Sequence, residues 1–267
     1  MNRKIAVIGV GNMAKAIING MISREIPADS FFLYDKNPEA CEAYRNTERF
    51  CVAESIASAV NCADCVLLSV KPQNFPEVLE IISALPFSSD KLYITIAAGI
   101  TSKSVSDALG GAVVIRVLPN LPMTIGKGVS AICTNEAASK EDFDFVQSIF
   151  ASAGNTLIID ESQMNRIIGV TSSSPAYVFK FIDAICKGAQ AQGLDENELL
   201  DAVCDMVIGS AMLLKSSPDS PACLISKVAS KGGTTERALS ALDEGGFDKA
   251  VELAMKACTL RADELGK

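Results

Sequence analysis

The 267-residue chain contains no histidine. That zero removes histidine bases, acids and metal ligands together. Serine-hydrolase triads, most catalytic zinc sites and many dehydrogenase mechanisms go with them. Charged residues are also scarce, 21% against 49% hydrophobic. Such a balance excludes a disordered chain, and suggests that another subunit covers some apolar surface. No basic stripe is visible, and the net charge is −8. Phosphate neutralisation supplies most nucleic-acid affinity, so neither a nucleic acid nor an anionic membrane is an expected partner. No apolar run reaches the ~20 residues that span a bilayer. The nine cysteines are odd in number and scattered, mostly inside apolar runs. They read as buried free thiols in a reducing compartment. The first residues faintly mimic a secretory leader, but Asn12 and Lys15 interrupt the run, so a cytoplasmic location is expected.

What the chain does have is periodicity. Short Val/Ile/Leu-rich runs at 4–8, 31–35, 65–70, 93–97 and 113–118 alternate with helical patterns at 12–23, 38–46, 54–61, 76–85 and 102–109. Strands without polar alternation are buried on both faces, and strand–helix alternation predicts parallel strands with right-handed crossovers. A further strand pair, 129–133 and 156–159, flanks a helix at 140–153. After Asp160 strand patterns stop, and 165–170, 176–192, 196–215, 222–229, 235–244 and 247–265 read as helices. The segment 199–214 has little polar surface. It is either covered by a partner chain or the central helix of its own domain.

The most informative motif is Gly9-Val10-Gly11-Asn12-Met13-Ala14, a strand running into G-x-G-x-x-A. Gly9 permits the tight turn, Gly11 leaves room for a pyrophosphate, and Ala14 keeps helix and strand close. The helix from Asn12 aims free N–H groups and its positive end at the phosphates. Asp35 ends the second strand at about the ~20-residue separation expected of the ribose-binding acid. A carboxylate there accepts from both ribose hydroxyls of NADH and repels a 2′-phosphate, while Lys36 and Asn37 could hold that phosphate. Three more strand-end loops, Ser69-Val70-Lys71-Pro72-Gln73, Ala97-Ala98-Gly99 and Pro119-Asn120-Leu121-Pro122, should line the same crevice. Lys71 could meet the ribose or phosphates, and Asn120 the nicotinamide edge.

Other features are weaker. Cys62-Ala63-Asp64-Cys65 is a C-x-x-C, but it lies at a helix end with no further ligands, so buried structural thiols and no metal site are expected. Ser230-Lys231-Gly232-Gly233-Thr234-Thr235 precedes a helix. It reads equally as a small-anion site built from N–H groups and hydroxyls or as a flexible loop with a threonine cap.

Six motifs in order resemble the pyrroline-5-carboxylate reductase family. They are Gly9 to Ala14, Val70-Lys71-Pro72, Ile96-Ala97-Ala98-Gly99, Arg116-Val117-Leu118-Pro119-Asn120, Ser174-Pro175-Ala176-Tyr177 and Gly232-Gly233-Thr234-Thr235. The resemblance runs from residue 3 to about 265. It implies an α/β fold: a Rossmann-type, mostly parallel domain over 1–160 and an all-helical dimerisation and substrate domain over 161–267. It further implies reduction of Δ1-pyrroline-5-carboxylate to L-proline with NADPH or NADH, and a homodimer that can assemble as a pentamer of dimers. Ser230, Gly232, Gly233 and Thr234 would hold the substrate carboxylate, and the Thr235 hydroxyl would face the ring nitrogen as the catalytic group. The chain departs from the family pattern at Lys231, where proline is usual, at Thr171-Ser172, at Leu121 and at Ser220.

A protonated cyclic imine accepts hydride readily, so the absence of histidine is no obstacle. The task is to hold the imine carbon ~3–3.5 Å from the nicotinamide. Threonine is a poor acid, so its contribution should sit at the low end of the ~10²–10⁴-fold range for proton transfer. Two other readings remain open. One is a related dehydrogenase of a small hydroxy acid, with Lys180 as the nearest candidate lysine. The other is a protein that binds NAD(P) without turnover.

Overall fold

The computed structural model describes residues 3–24, 28–134 and 137–266. Two compact units divide it, one made of 1–175 with 256–267 and the other of 176–255.

The first unit is built on an eight-stranded sheet: β1 (Arg3–Ile8), β2 (Ala28–Tyr34), β3 (Phe50–Val52), β4 (Cys65–Leu68), β5 (Leu92–Thr95), β6 (Val113–Leu118), β7 (Gly128–Thr134) and β8 (Gly154–Ile158). Its order is β3-β2-β1-β4-β5-β6-β7-β8. All neighbours are parallel except β6 and β7. The connection 119–127 between those two is too short for a crossover, which needs a dozen or more residues, so the chain must turn back. Helices α1 (Asn12–Ser23), α2 (Ile56–Asn61), α3 (Phe75–Ser83), α4 (Ser102–Ala108) and α5 (Lys140–Ala151) join the strands. Two cores result. Ile5, Val7, Ile17 and Phe150 pack on one face of the sheet; Ala6, Ile8, Val78 and Val105 pack on the other. The central strands, largely apolar, are thus buried on both sides as expected.

The structure corrects two local expectations and adds a strand, β3, that the pattern did not show. The pattern over 38–46 forms a 3-10 segment, Pro38–Tyr44, not an α-helix. β3 carries only three residues, too few for a period to show, and is held by Phe50 stacked 5.0 Å from Phe31. The helix expected at 165–170 starts earlier, as α6 (Glu161–Ile167), and opens into a π-turn, Ile168–Ser172. π-turns are often found at functional sites.

The remaining helices are α7 (Ser174–Ala191), α8 (Glu196–Ser216), α9 (Pro221–Val228), α10 (Thr234–Glu244) and α11 (Phe247–Leu265). The second unit holds most of them. Among its described residues only Cys186 and Val203 are buried hydrophobics. α8 is therefore not a central helix of its own unit: Ile208, Met212 and Leu213 are each more than half exposed. Among the described residues no helix is long and apolar enough to cross a membrane. The thiols split, with Cys41, Cys65, Cys133 and Cys186 buried but Cys51 and Cys62 exposed. Of the C-x-x-C pair, only Cys65 matches the expectation of burial, and burial pushes its pKa up to about 12.

Candidate functional site

In an open parallel sheet the ligand crevice lies beyond the carboxyl ends of the strands, where the strand order reverses. Here that point lies between β1 and β4. A cleft of about 430 Å³ opens there, lined by Gly9, Gly11, Asp35, Lys36, Val70 and Lys71, with Gln73, Asn74 and Glu77 on its α3 side. Lys71 and Pro72 begin the 3-10 turn that leads into α3. Gln73 belongs to the strand-end loop expected at the crevice, whereas Asn74 and Glu77 were not expected there, because nothing local distinguishes them from ordinary residues at a helix start.

The two glycines of the turn differ. Gly9 has φ +93°, and a β-carbon there would stand 2.8 Å from the Ser69 carbonyl oxygen. Its N–H donates to Tyr34 O at 2.8 Å. Gly11 has the extended backbone φ −75°, ψ −176°, and a β-carbon there would meet nothing within 4 Å. Its missing side chain is open cleft. Asn12 and Met13 begin α1, which has no side-chain cap. First-turn N–H groups have no partner inside a helix, so a site for an anion stands at this end.

Asp35 closes the turn. Its Oδ2 accepts the Val10 N–H at 2.7 Å and its Oδ1 the Asn37 N–H at 2.9 Å. The carboxylate is aimed at the glycine turn, and each oxygen has already accepted one bond.

The loops after β5 and β6 are committed to structure. Gly99 has φ +81°, and a β-carbon there would stand 2.5 Å from Ala262 O in α11. That residue is glycine because the chain's last helix packs on it. Ala97 beside it is buried, and Ala98 half-buried. Asn120 is 6% exposed. Its Nδ2 donates to Thr171 O in the π-turn at 2.9 Å, and its Oδ1 accepts from Val129 N at 2.9 Å. Expected at the nicotinamide edge, it also clips three segments together.

Beneath these loops lies a network that the sequence reading did not identify. Arg116 on β6 is 1% exposed. It donates to Glu161 Oε1 at 2.8 Å and to Asn165 Oδ1 at 2.6 Å. Asn165 donates in turn to Asp263 at 2.7 Å. Burial alone would push the Glu161 carboxyl up. Hydrogen bonds from Cys133, Arg116 and Ser102 outweigh it and hold the pKa below the usual value.

In the helical unit, α9 ends at Val228 and the loop 229–233 leads into α10. Gly232 has φ +74°. Gly233 is the N-cap of α10 and makes no side-chain cap bond; its N–H donates to Ser230 O at 2.9 Å. Thr234 and Thr235 open the helix. Thr235 is half-buried and lines a cavity of about 890 Å³ with Val228, Leu239 and Lys227. Lys180 stands exposed on α7, beside an apolar cavity lined by Phe181, Ile185, Phe247 and Val251.

A glycine turn at the switch point and an uncapped Gly-Gly-Thr-Thr helix start coincide with a match along the whole chain. The chain is 35% identical over 270 residues to pyrroline-5-carboxylate reductase of Escherichia coli, covering 100% of both chains. It is 34% identical over 267 residues to that of Haemophilus influenzae, covering 99% of this chain and 98% of the relative. The chain belongs to the pyrroline-5-carboxylate reductase family. Residues 161–265 match the pyrroline-5-carboxylate reductase dimerisation family, and residues 4–99 the family described as NADP oxidoreductase coenzyme F420-dependent. Among solved structures, the pyrroline carboxylate reductase of Plasmodium falciparum with NADP bound superposes with a TM-score of 0.90 at 25% identity. It covers 100% of this chain and 99% of that one. The Streptococcus pyogenes enzyme also gives 0.90, at 29% identity and 98% and 99% coverage.

Proposed function

We propose that this chain reduces the imine of Δ1-pyrroline-5-carboxylate to L-proline with NADPH or NADH. The observation that carries this reading is full-length similarity to reductases of that name. When bound, the dinucleotide supplies the hydride. The cleft residues suit such a group, since the missing Gly11 side chain leaves the space a pyrophosphate needs. Gly9, Gly11, Asn12 and Met13 cradle the phosphates. Asp35, Lys36 and Asn37 face the adenosine ribose; Val70, Lys71 and Pro72 flank it. Ala97, Ala98, Gly99 and Asn120 line the nicotinamide end.

Ser230, Gly232, Gly233 and Thr234 form the loop that holds the substrate carboxylate against the positive end of α10. The Thr235 hydroxyl donates to the ring nitrogen, or moves a proton there, as the carbon beside it takes the hydride. No strong acid is required, which suits a chain without histidine.

Residues 161–267 act as the dimerisation and substrate domain. The exposed apolar side chains of α8 support a homodimer; a pentamer of dimers is the further level of assembly in this reading, and the cytoplasm its location. Loss of NAD(P)H absorbance, with and without pyrroline-5-carboxylate, tests the reading. No substrate-dependent loss from a folded protein that binds the dinucleotide would leave a non-catalytic binder.

A further inference from the structure

The amides of the loop before α10 fall into two groups. Gly233 N–H is spent on Ser230 O at 2.9 Å. Gly232 N–H is spent on the Glu236 carboxylate, whose Oε2 accepts it at 2.7 Å. The N–H groups of Thr234, Thr235 and Glu236 form the first turn of α10, where no side chain caps the helix. These three have no acceptor within the helix and point along its axis.

Gly232 holds a left-handed φ of +74°, and the Glu236 bond ties it to the helix. Without that bond the loop has one tether fewer, and a two-glycine segment has wide conformational freedom to lose on binding. Glu236 is exposed, one residue from Thr235. Its side chain turns back on the loop rather than out along the helix face.

We propose that Glu236 is a positioning residue for the substrate carboxylate. It braces the loop through Gly232, so that the free amides of the first turn are already arrayed when the ligand arrives. This rests on the reading of the loop as the carboxylate site. The brace also fixes a negative charge at the Gly232 amide of the loop, so the site suits a monocarboxylate and opposes a second carboxylate on the same side.

Steady-state kinetics of the full chain at saturating cofactor test the assignment. E236A should raise KM for pyrroline-5-carboxylate about tenfold and weaken inhibition by proline equally. kcat and the cofactor KM should stay within about twofold, the pattern of lost ground-state binding. E236Q keeps the acceptor without the charge, and should restore the wild-type KM or lower it. E236A with a wild-type KM, or E236Q as impaired as E236A, overturns the proposal. Should the wild type fail to turn over the imine, the functional reading fails by itself. Hydrogen exchange at Gly232 then still reads the brace: protection in wild type and E236Q but not in E236A supports it, and equal exchange in all three overturns it.

Discussion

Gly9 and Gly11 show how one residue type can serve the backbone at one position and a ligand at the next. A β-carbon at Gly9 would collide with the Ser69 carbonyl, at a left-handed φ, so G9A should lower stability by roughly 1–3 kcal/mol. Gly11 has an ordinary backbone and open space. G11V should therefore melt near wild type yet bind the dinucleotide at least about tenfold more weakly, a loss of about 1.4 kcal/mol. Calorimetric titration beside thermal melting separates the two effects; undiminished affinity in folded G11V would reject the phosphate cradle. Asp35 combines both roles. D35S should raise the NADPH-to-NADH ratio of kcat/KM, because a carboxylate at ~4 Å opposes a 2′-phosphate by about 1–4 kcal/mol between the limits of water and protein surface. The same change orphans the Val10 N–H, in a residue with no exposed surface, and should cost about 1–3 kcal/mol of stability. An unmoved ratio would mean that the carboxylate serves the turn alone. The bond that Asp35 accepts from Val10 spans 25 positions and was not foreseen, but the left-handed turn at Gly9 and the open space at Gly11 were legible in the sequence, because the strand–turn–helix pattern that calls for them is local. The reason for Gly99 was not, because its neighbour Ala262 lies at the far end of the chain.

At the scale of elements, the Arg116–Glu161 pair fixes α6 to the sheet. Arg116 is fully buried, and the Glu161 side chain is 32% exposed. Removing the acid leaves a buried cation without its main partner. E161Q should cost about 3 kcal/mol, the lower end for breaking a buried pair. The sign with pH follows from the lowered folded pKa of Glu161. Its contribution is complete above the ordinary carboxylate value of about 4.3, and is lost as pH falls through the lower folded value. Melting curves from pH 7 down to pH 3 should converge for wild type and E161Q at the acid end. Curves that stay parallel would show that the pair does not set acid stability. Central strands and long helices were readable because their hydrophobic periods run over many residues. β3 was not, at three residues. Nor was the π-turn, whose carbonyl at Thr171 is held by Asn120 across 51 positions of sequence.

For the whole molecule, the helical unit poses the largest question of energy. Cys186 and Val203 are the buried hydrophobics among its described residues. Each large apolar side chain taken from water contributes about 1.5–3 kcal/mol, and most of those here remain wet in a single chain. L213D should therefore halve the mass seen by sedimentation or prevent folding, while substitution of the exposed Lys103 on α4 should do neither. A wild-type chain that sediments as a monomer at micromolar concentration would reject the dimer. The sequence announced the helical half by its loss of strand pattern. It did not announce that residues 256–267 group with the sheet unit, because helical periodicity does not say which neighbour a helix joins.

That return has a consequence for synthesis. A ribosome releases the chain from the N-terminus at about 5–20 residues per second, and the eight strands emerge long before α11. Until residues 256–266 arrive, Asn165 lacks Asp263 and the Gly99 loop lacks its backing. The nascent sheet unit must wait in a nearly finished form. Chains arrested at residue 255 should accordingly be cut by protease in the 97–101 loop, with the strands still resistant, and release of the full chain should close that window.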